Sequence, residues 1–166
     1  MSMVIVIIIV GILTIYNQET EISKSIDEND LENPLIKEGI FNPAPREWQT
    51  SGPFQIDRSQ YLLGEKVFLV TGNLDTDEKG QVAFLKPSND THYKVYQTIP
   101  FDGTKKHEFN YYTDIKLNRV LGLCSIDDIL GEWTVVFRGT NYPNLKFTVI
   151  NETIPGEEYA FTTPVC

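Results

Sequence analysis

The residues of this chain best suited to covalent chemistry are its two cysteines, Cys124 and Cys166. Cysteines present in even number outside the cytosol are usually paired. A bond between them closes a loop of about 43 residues, which contributes roughly 4 kcal/mol in the chain-entropy estimate. The bond would also hold the tail after residue 156 on the domain. The alternative is a pair of free thiols, one of them able to cross-link a partner.

The ligand types of a blue-copper site are present as His92, His107 and Cys124. Such a site takes two His, one Cys and often an axial Met, with the Cys and one His close together in sequence. Here that spacing is missing, and Met1 and Met3 fall in an apolar run at the start of the chain. We therefore expect both histidines to face water, and we expect no metal or other cofactor.

Residues 75–80, with the sequence DTDEKG, begin like a calcium loop with acid at the first and third positions and Gly at the sixth. Lys79 then stands where a ligand oxygen is needed, and Lys86 where the bidentate Glu should be. A solvated hairpin turn is the interpretation that fits these residues.

Asn89 and Asn151 each begin the pattern Asn-x-Thr, which is the acceptor pattern for N-linked glycans. Both are predicted to lie in loops. The pattern is short enough to arise by chance, so the two residues are candidate glycosylation sites only. Tyr111, Tyr112 and Phe101 are candidates for an aromatic patch that binds a protein or a sugar, and core or edge packing is the alternative.

Charge and motif content exclude several classes of function. The chain has 166 residues with 23 acidic and 14 basic side chains, a net charge of -9. Phosphate binding needs clustered cations, so nucleic acid is excluded as a partner. Phosphate loops, nucleophile elbows and zinc-protease helices are missing from the sequence. We therefore expect a protein that is not an enzyme.

Residues 3–16 form an unbroken apolar run, and the first charged side chain is Glu19. A spanning helix needs about 20 residues, whereas runs of about 10 to 14 occur in cleavable signals. No small-x-small cleavage site follows, so residues 1–18 predict a retained transmembrane helix in contact with membrane lipid. A cleaved signal and a buried core segment are the alternatives. The acid after the run favours a single-pass cell-membrane protein with an extracellular or pseudoperiplasmic C-terminal domain.

Residues 19–50 predict a tether, because they are acidic and rich in Pro and cannot bury enough apolar surface to fold alone. Residues 51–154 instead show short apolar or alternating runs between turn residues, which predicts an all-β antiparallel sandwich of about seven strands. Residues 155–166 are the C-terminal tail. The predicted strands are 54–57, 66–72, 81–86, 93–99, 107–112, 133–138 and 146–150.

A helical turn beginning at Ser125 and ending at Gly131 is predicted to carry the chain into the strand 133–138. Side chains alternate between the two sides of a strand, so every second residue of this strand shares one apolar face. The predicted core residues of that face are Trp133, Val135 and Phe137.

Two stretches, DDILGEWTVVFRG at 127–139 and YLLGEKVFLVTGNL at 61–74, resemble the immunoglobulin-like and fibronectin III-like β-sandwich superfamily. In that superfamily a Gly-Glu step precedes an early strand, and an Asp, a Gly and an aromatic residue precede a late one. The resemblance covers residues 54–150 and implies an immunoglobulin-like sandwich. It departs from antibody domains, since neither 66–72 nor 133–138 contains the cysteine of the usual inter-sheet disulfide.

The layout of one anchor and one sandwich is similar to that of single-pass archaeal cell-envelope proteins. It implies an extracellular binding or structural module that contacts another envelope protein. The sandwich pattern is also similar to the cupredoxin-like outer domains of membrane monooxygenase subunits. The histidine ligands of those subunits are missing from the amino-terminal side of this domain, so that similarity implies a non-catalytic accessory subunit of a membrane enzyme complex as the alternative function.

Overall fold

The computed structural model describes residues 43–89 and 91–166, which fold into two β-sheets and their connections. A four-stranded sheet has the order β1-β2-β4-β7, and a five-stranded sheet has the order β3-β9-β8-β5-β6. The strands are β1 (Gln49–Ser51), β2 (Phe54–Ile56), β3 (Gln60–Leu63), β4 (Lys66–Thr71), β5 (Lys79–Pro87), β6 (Tyr93–Asp102), β7 (Phe109–Asp114), β8 (Gly131–Arg138) and β9 (Leu145–Thr153).

Each of the seven predicted strands overlaps an observed one, and the all-β, two-sheet architecture is confirmed. The predicted number of strands is too low, because β1 and β3 add two short strands. The expectation of purely antiparallel sheets is also wrong, since β3 runs parallel to β9. Strands of three or four residues with polar ends carry little periodicity, so their pairing depends on neighbours that are distant in sequence.

The sandwich begins slightly before the predicted boundary at residue 51. Strand β1 starts at Gln49 and pairs with β2 across a tight turn at Gly52. Gly52 has φ of +56°, and a Cβ at this position would overlap the ring of Tyr142. The turn therefore needs glycine both for its backbone conformation and for this close approach.

The core lies between the sheets and is built largely from aromatic side chains. Phe54 from the four-stranded sheet stacks on Phe137 from the five-stranded sheet, with ring centroids 4.4 Å apart. Trp133 and Val135 are fully buried, and Phe137 is nearly so. Burying each large apolar side chain contributes about 1.5 to 3 kcal/mol, so this layer holds the two sheets together.

The connection from β7 to β8 contains two 3₁₀ turns, Arg119–Leu121 and Ile126–Asp128. The carboxylate of Asp128 accepts hydrogen bonds from the backbone nitrogens of Cys124 and Ser125, at 2.8 and 3.0 Å. These bonds hold the pKa of Asp128 below its ordinary value. The turn then ends, and β8 starts at Gly131, whose φ is +95°.

The predicted transmembrane helix at residues 1–18 and most of the predicted tether lie outside the described residues. Within 43–89 and 91–166, no helix combines the length and the apolar character that crossing a membrane requires. The longest helical segment of the C-terminal tail is the single turn Tyr159–Thr162, from which Phe161 is buried.

Candidate binding face

An aromatic pair stands on the outer side of the four-stranded sheet. Phe68 on β4 is the register partner of Tyr112 on β7, and their rings stack with centroids 4.5 Å apart and planes 19° apart. The flanking residues Val67 and Leu69 are fully buried, so the alternation of β4 turns Phe68 outward. The side chain of Tyr112 is 58% exposed.

Two residues just before β1 extend this pair. The ring of Trp48 meets Phe68 edge to face, with centroids 6.0 Å apart. The guanidinium of Arg46 lies 6.0 Å from the Trp48 ring centre and 5.9 Å from that of Phe68. Trp48 is 44% exposed. Arg46, Trp48, Phe68 and Tyr112 together are called the binding face, because Trp, Tyr and Arg are the residues that contribute most at protein interfaces.

A buried carboxylate fixes the strand beneath this face. Asp57 is 1% exposed, and its Oδ1 accepts hydrogen bonds from the hydroxyl of Tyr61 at 2.7 Å and from the backbone nitrogen of Phe68 at 3.1 Å. Burial, together with the hydrogen bond to Asp57, raises the pKa of Tyr61 well above its ordinary value. Arg46 Nε lies 3.7 Å from the other carboxylate oxygen of Asp57. The backbone of Phe68 is therefore fixed by a hydrogen bond to a buried carboxylate, although its ring faces outward.

A polar cleft of about 490 Å³ lies farther along β4, and none of its lining residues belongs to the binding face. Val70 lies two residues after Phe68, on the same side of β4, and lines this cleft. Asp75 and Glu78 line it as well, and Glu78 accepts a hydrogen bond from the hydroxyl of Tyr142. That bond raises the pKa of Tyr142. The lining of this cleft therefore carries two acidic side chains.

The structure separates the residues of the predicted aromatic patch. Phe101 is buried and packs against Phe54, so for it the alternative of core packing is right. The hydroxyl of Tyr111 accepts a hydrogen bond from Gln97 Nε2 at 2.7 Å, which places Tyr111 at the side of the sandwich between β6 and β7. Only Tyr112 belongs to the binding face.

A second cleft, of about 510 Å³, opens at that same side of the sandwich, between the edge strands of the two sheets. Phe109 and Tyr111 contribute its apolar wall, and Lys105 and Lys106 lie at its border. It is separate from the acidic cleft, since the two have no lining residue in common.

Cys124 and Cys166 are joined by a disulfide, with an S–S distance of 2.01 Å and Cα atoms 5.2 Å apart. The backbone nitrogen of Val165 also donates to the carbonyl of Cys124 at 2.9 Å. Together with the buried ring of Phe161, these contacts fasten the tail to the connection between β7 and β8.

The metal-ligand types noted in the sequence do not converge. Cys124 is in the disulfide, His92 is in the turn between β5 and β6, and His107 Nδ1 lies 2.9 Å from the carbonyl oxygen of Leu74. Among residues 43–89 and 91–166, no group of three or more His, Cys, Asp or Glu side chains is arranged to hold a metal ion. In the segment 75–80, Glu78 instead caps the turn by accepting from the backbone nitrogen of Asp75 at 2.8 Å.

The two glycosylation candidates differ in their local structure. Asn89 is exposed in the turn between β5 and β6, as predicted for a loop. Asn151 is also exposed, but it lies within strand β9, so the expectation of a loop is wrong there. The pairing of β9 with β3 extends the strand past the point at which its apolar alternation ends.

Sequence reasoning missed Arg46, Trp48 and Phe68 as site residues. Phe68 had a detectable signal, because it is an aromatic residue at an outward position between the buried Val67 and Leu69. Comparison of the chain with protein-family models, with curated proteins and with solved structures finds no significant match.

Proposed function

We propose that this chain is a membrane-anchored extracellular module without catalytic activity, which binds another cell-envelope protein through the binding face. The observation that carries the proposal is the exposed cluster of Arg46, Trp48 and Tyr112 around Phe68. Such a cluster combines large apolar area, few rotatable bonds and one fixed cation, which are the properties of interface hot spots.

The geometry of the rings favours a protein partner over a saccharide. A sugar stacks on the open face of an aromatic ring, whereas Phe68 and Tyr112 cover one face of each other and Arg46 lies near Phe68 and Trp48. The acidic cleft farther along β4 adds Asp75 and Glu78. A protein surface with apolar groups and nearby Lys or Arg residues complements this arrangement.

The extracellular location is supported by the disulfide and by the apolar run at residues 3–16. Disulfides persist outside the cytosol and are rare within it. The run itself lies outside the described residues, so its role as an anchor is part of the proposal. We place membrane lipid around residues 1–18 and the sandwich beyond the tether.

We also propose that the sandwich is immunoglobulin-like. In constant-type domains strands A, B and E belong to one sheet and C, F and G to the other, and variable-type domains add C′ next to C. Strands β2, β4 and β7 correspond to A, B and E both in their order along the chain and in their order within the sheet. The order β9-β8-β5-β6 corresponds in the same way to G, F, C and C′.

Location is tested by protease treatment of intact cells. We expect the sandwich to be cut from outside and a fragment containing residues 1–18 to stay in the membrane fraction. Protection of the whole chain, or its recovery in the cytosol with free thiols, would contradict the proposed location.

Binding is tested by placing a photo-crosslinking phenylalanine derivative at Tyr112 in the full chain. The matched control carries the same derivative at Tyr159, which is 89% exposed and lies in the C-terminal tail. We expect one discrete protein adduct from position 112, none from 159, and loss of the adduct when Trp48→Ala is combined with the probe. Equal labelling from both positions would contradict a role for the binding face.

The identity of the adduct separates the two functions considered for this chain. An adduct with a water-exposed envelope protein supports the module proposed here. Co-purification in mild detergent with integral membrane subunits of an enzyme would instead support the accessory role.

A further inference from the structure

We infer that Asn89 is the residue that receives an N-linked saccharide, and that Asn151 does not receive one, although both begin the acceptor pattern. The inference rests on the proposed function, because modification of this kind is made on domains outside the cytosol. The inference adds a covalent modification at a position outside the binding face.

The turn around Asn89 is closed by the asparagine itself. Its side-chain oxygen Oδ1 accepts hydrogen bonds from the backbone nitrogens of Thr91 at 3.0 Å and His92 at 2.9 Å. The backbone nitrogen of Ser88 donates to the carbonyl of His92 at 2.8 Å. The Thr91 hydroxyl at 3.1 Å and His92 Nδ1 at 3.0 Å also lie against this oxygen. Because both backbone nitrogens can only donate, the oxygen is the carbonyl atom of the amide.

The amide nitrogen is the atom that reacts, and it is available. Among the described residues, Nδ2 of Asn89 takes part in no hydrogen bond, and the residue is exposed. The hydroxyl of Thr91 lies 3.1 Å from Asn89 Oδ1. The acceptor pattern requires a hydroxyl two residues after the asparagine. In this turn the amide and the required hydroxyl are already in contact, so a transferring enzyme would meet both groups together.

The transfer needs a co-reactant, a saccharide whose anomeric carbon is linked to a lipid phosphate. The nitrogen Nδ2 forms a bond to that carbon, and the bond from the carbon to the phosphate oxygen breaks. The oxygen keeps the electron pair, and one proton of Nδ2 passes to a base of the transferring enzyme. The reaction involves neither oxidation nor reduction.

Asn151 presents the same residue types in an unsuitable conformation. It lies in β9 at a register irregularity, where Asn151 and Glu152 stand between the paired positions Ile150 and Thr153. The strand is held on both sides of Asn151, since Ile150 pairs with Leu62 and Thr153 pairs with Leu63 of β3. Among the described residues, no hydrogen bond joins the Asn151 side chain to the Thr153 hydroxyl, in contrast to the turn at Asn89, and the pairing on both sides opposes the rearrangement that would bring the two groups together.

The position of Asn89 is compatible with partner binding. The turn joins β5 to β6 and so belongs to the five-stranded sheet, whereas the binding face is on the outer side of the four-stranded sheet. A bulky, hydrated saccharide at Asn89 covers the end of one sheet and leaves the other sheet open.

The test is peptide and intact-mass spectrometry of the full-length protein purified from its own membranes. Asn89→Asp removes the reacting nitrogen and keeps a carboxylate oxygen for the turn, and Thr91→Val removes only the hydroxyl. Thr91→Ser, which keeps the hydroxyl, and Asn151→Asp are the matched controls. We expect saccharide mass on the peptide containing Asn89, complete loss of it in Asn89→Asp and Thr91→Val, and no loss in either control.

An unmodified Asn89 peptide, or saccharide on Asn151, would overturn the inference. Thiol alkylation and protease accessibility, measured on the same preparation, separate this failure from that of the proposed function. A sandwich that is cut from outside, with its disulfide intact and Asn89 unmodified, leaves the proposed location standing and refutes only the modification. A protected sandwich with free thiols and no saccharide refutes both.

Discussion

The ring of Phe68 on β4 stacks on the ring of Tyr112 on β7 on the outer side of the four-stranded sheet, with centroids 4.5 Å apart. The pairing joins an inner strand to an edge strand, because β7 has only β4 as a neighbour in its sheet. The backbone nitrogen of Phe68 donates a hydrogen bond to the buried Asp57. Phe68 is therefore held in place, and the ring of Tyr112 packs against it.

Replacing Tyr112 with Ala should lower the free energy of unfolding by about 1 kcal/mol, the range for an aromatic pair. Tyr112→Phe keeps the stack and should leave stability unchanged. Thermal unfolding of the full-length protein in mild detergent measures both. Equal destabilisation by the two variants would mean that the hydroxyl, and not the stacked ring, provides the stability.

Loss of the disulfide between Cys124 and Cys166 should cost roughly 4 kcal/mol, because the bond closes a long loop in the unfolded chain. The measurement is denaturant unfolding with and without reductant. Cys166→Ser should match the reduced wild-type protein and should not respond to reductant. A wild-type protein that is insensitive to reductant would show that the tail is held by Phe161 and its neighbours alone.

Trp133 contributes both volume and one hydrogen bond, from Nε1 to the carbonyl of Ile129 at 2.7 Å. Trp133→Phe keeps an aromatic ring but removes the donor, which should cost about 1 to 3 kcal/mol. Trp133→Ala leaves a cavity as well and should cost about 3 to 5 kcal/mol. Arg138→Ala, at an exposed position of the same strand, is the control, with a change within about 0.5 kcal/mol. Similar unfolding midpoints for the three variants would contradict burial of Trp133.

Stability should fall at high pH because of Tyr61, whose pKa is raised by burial and by its hydrogen bond to Asp57. In the unfolded chain the tyrosine ionises near its ordinary pKa of 10.0. The folded state keeps the proton, so its stabilisation is complete below about pH 10 and is lost as pH rises above that value. Unfolding free energies measured from pH 7 to 11 should show this decline.

Tyr61→Phe should remove that part of the pH dependence, since phenylalanine does not ionise. The exposed Tyr159 is the matched position, and Tyr159→Phe should leave the pH profile unchanged. A profile in Tyr61→Phe with the same decline as the wild type would assign the effect to other groups, of which Tyr96 and Tyr142 also have raised pKa values.

The strands of the sandwich were largely predictable from sequence. The alternation of Trp133, Val135 and Phe137 marks one buried face, because the pleat sends every second side chain to the same side. Gly131, with its positive φ, marks the start of that strand. The parallel pairing of β3 with β9 was not predictable, since β3 is short and its partner lies far along the chain.

The binding face was predictable only in part. Phe68 is an aromatic residue at an outward position in the regular alternation of β4, between Val67 and Leu69. Its contacts with Tyr112 and Arg46 depend on the register of β4 with β7 and on the path of the chain before β1. Neither is encoded in a local pattern.

By itself the sequence determined the all-β character of residues 51–154, the buried face of Trp133, Val135 and Phe137, and the net charge of -9, because these follow from residue types and from the geometry of a single strand. The tertiary structure decided that Phe68 meets Tyr112 and Arg46, and that Asn89 lies in a turn whereas Asn151 lies in a strand. The physical reason is that strand register and sheet order are set by the combined packing of both sheets, which no single segment specifies.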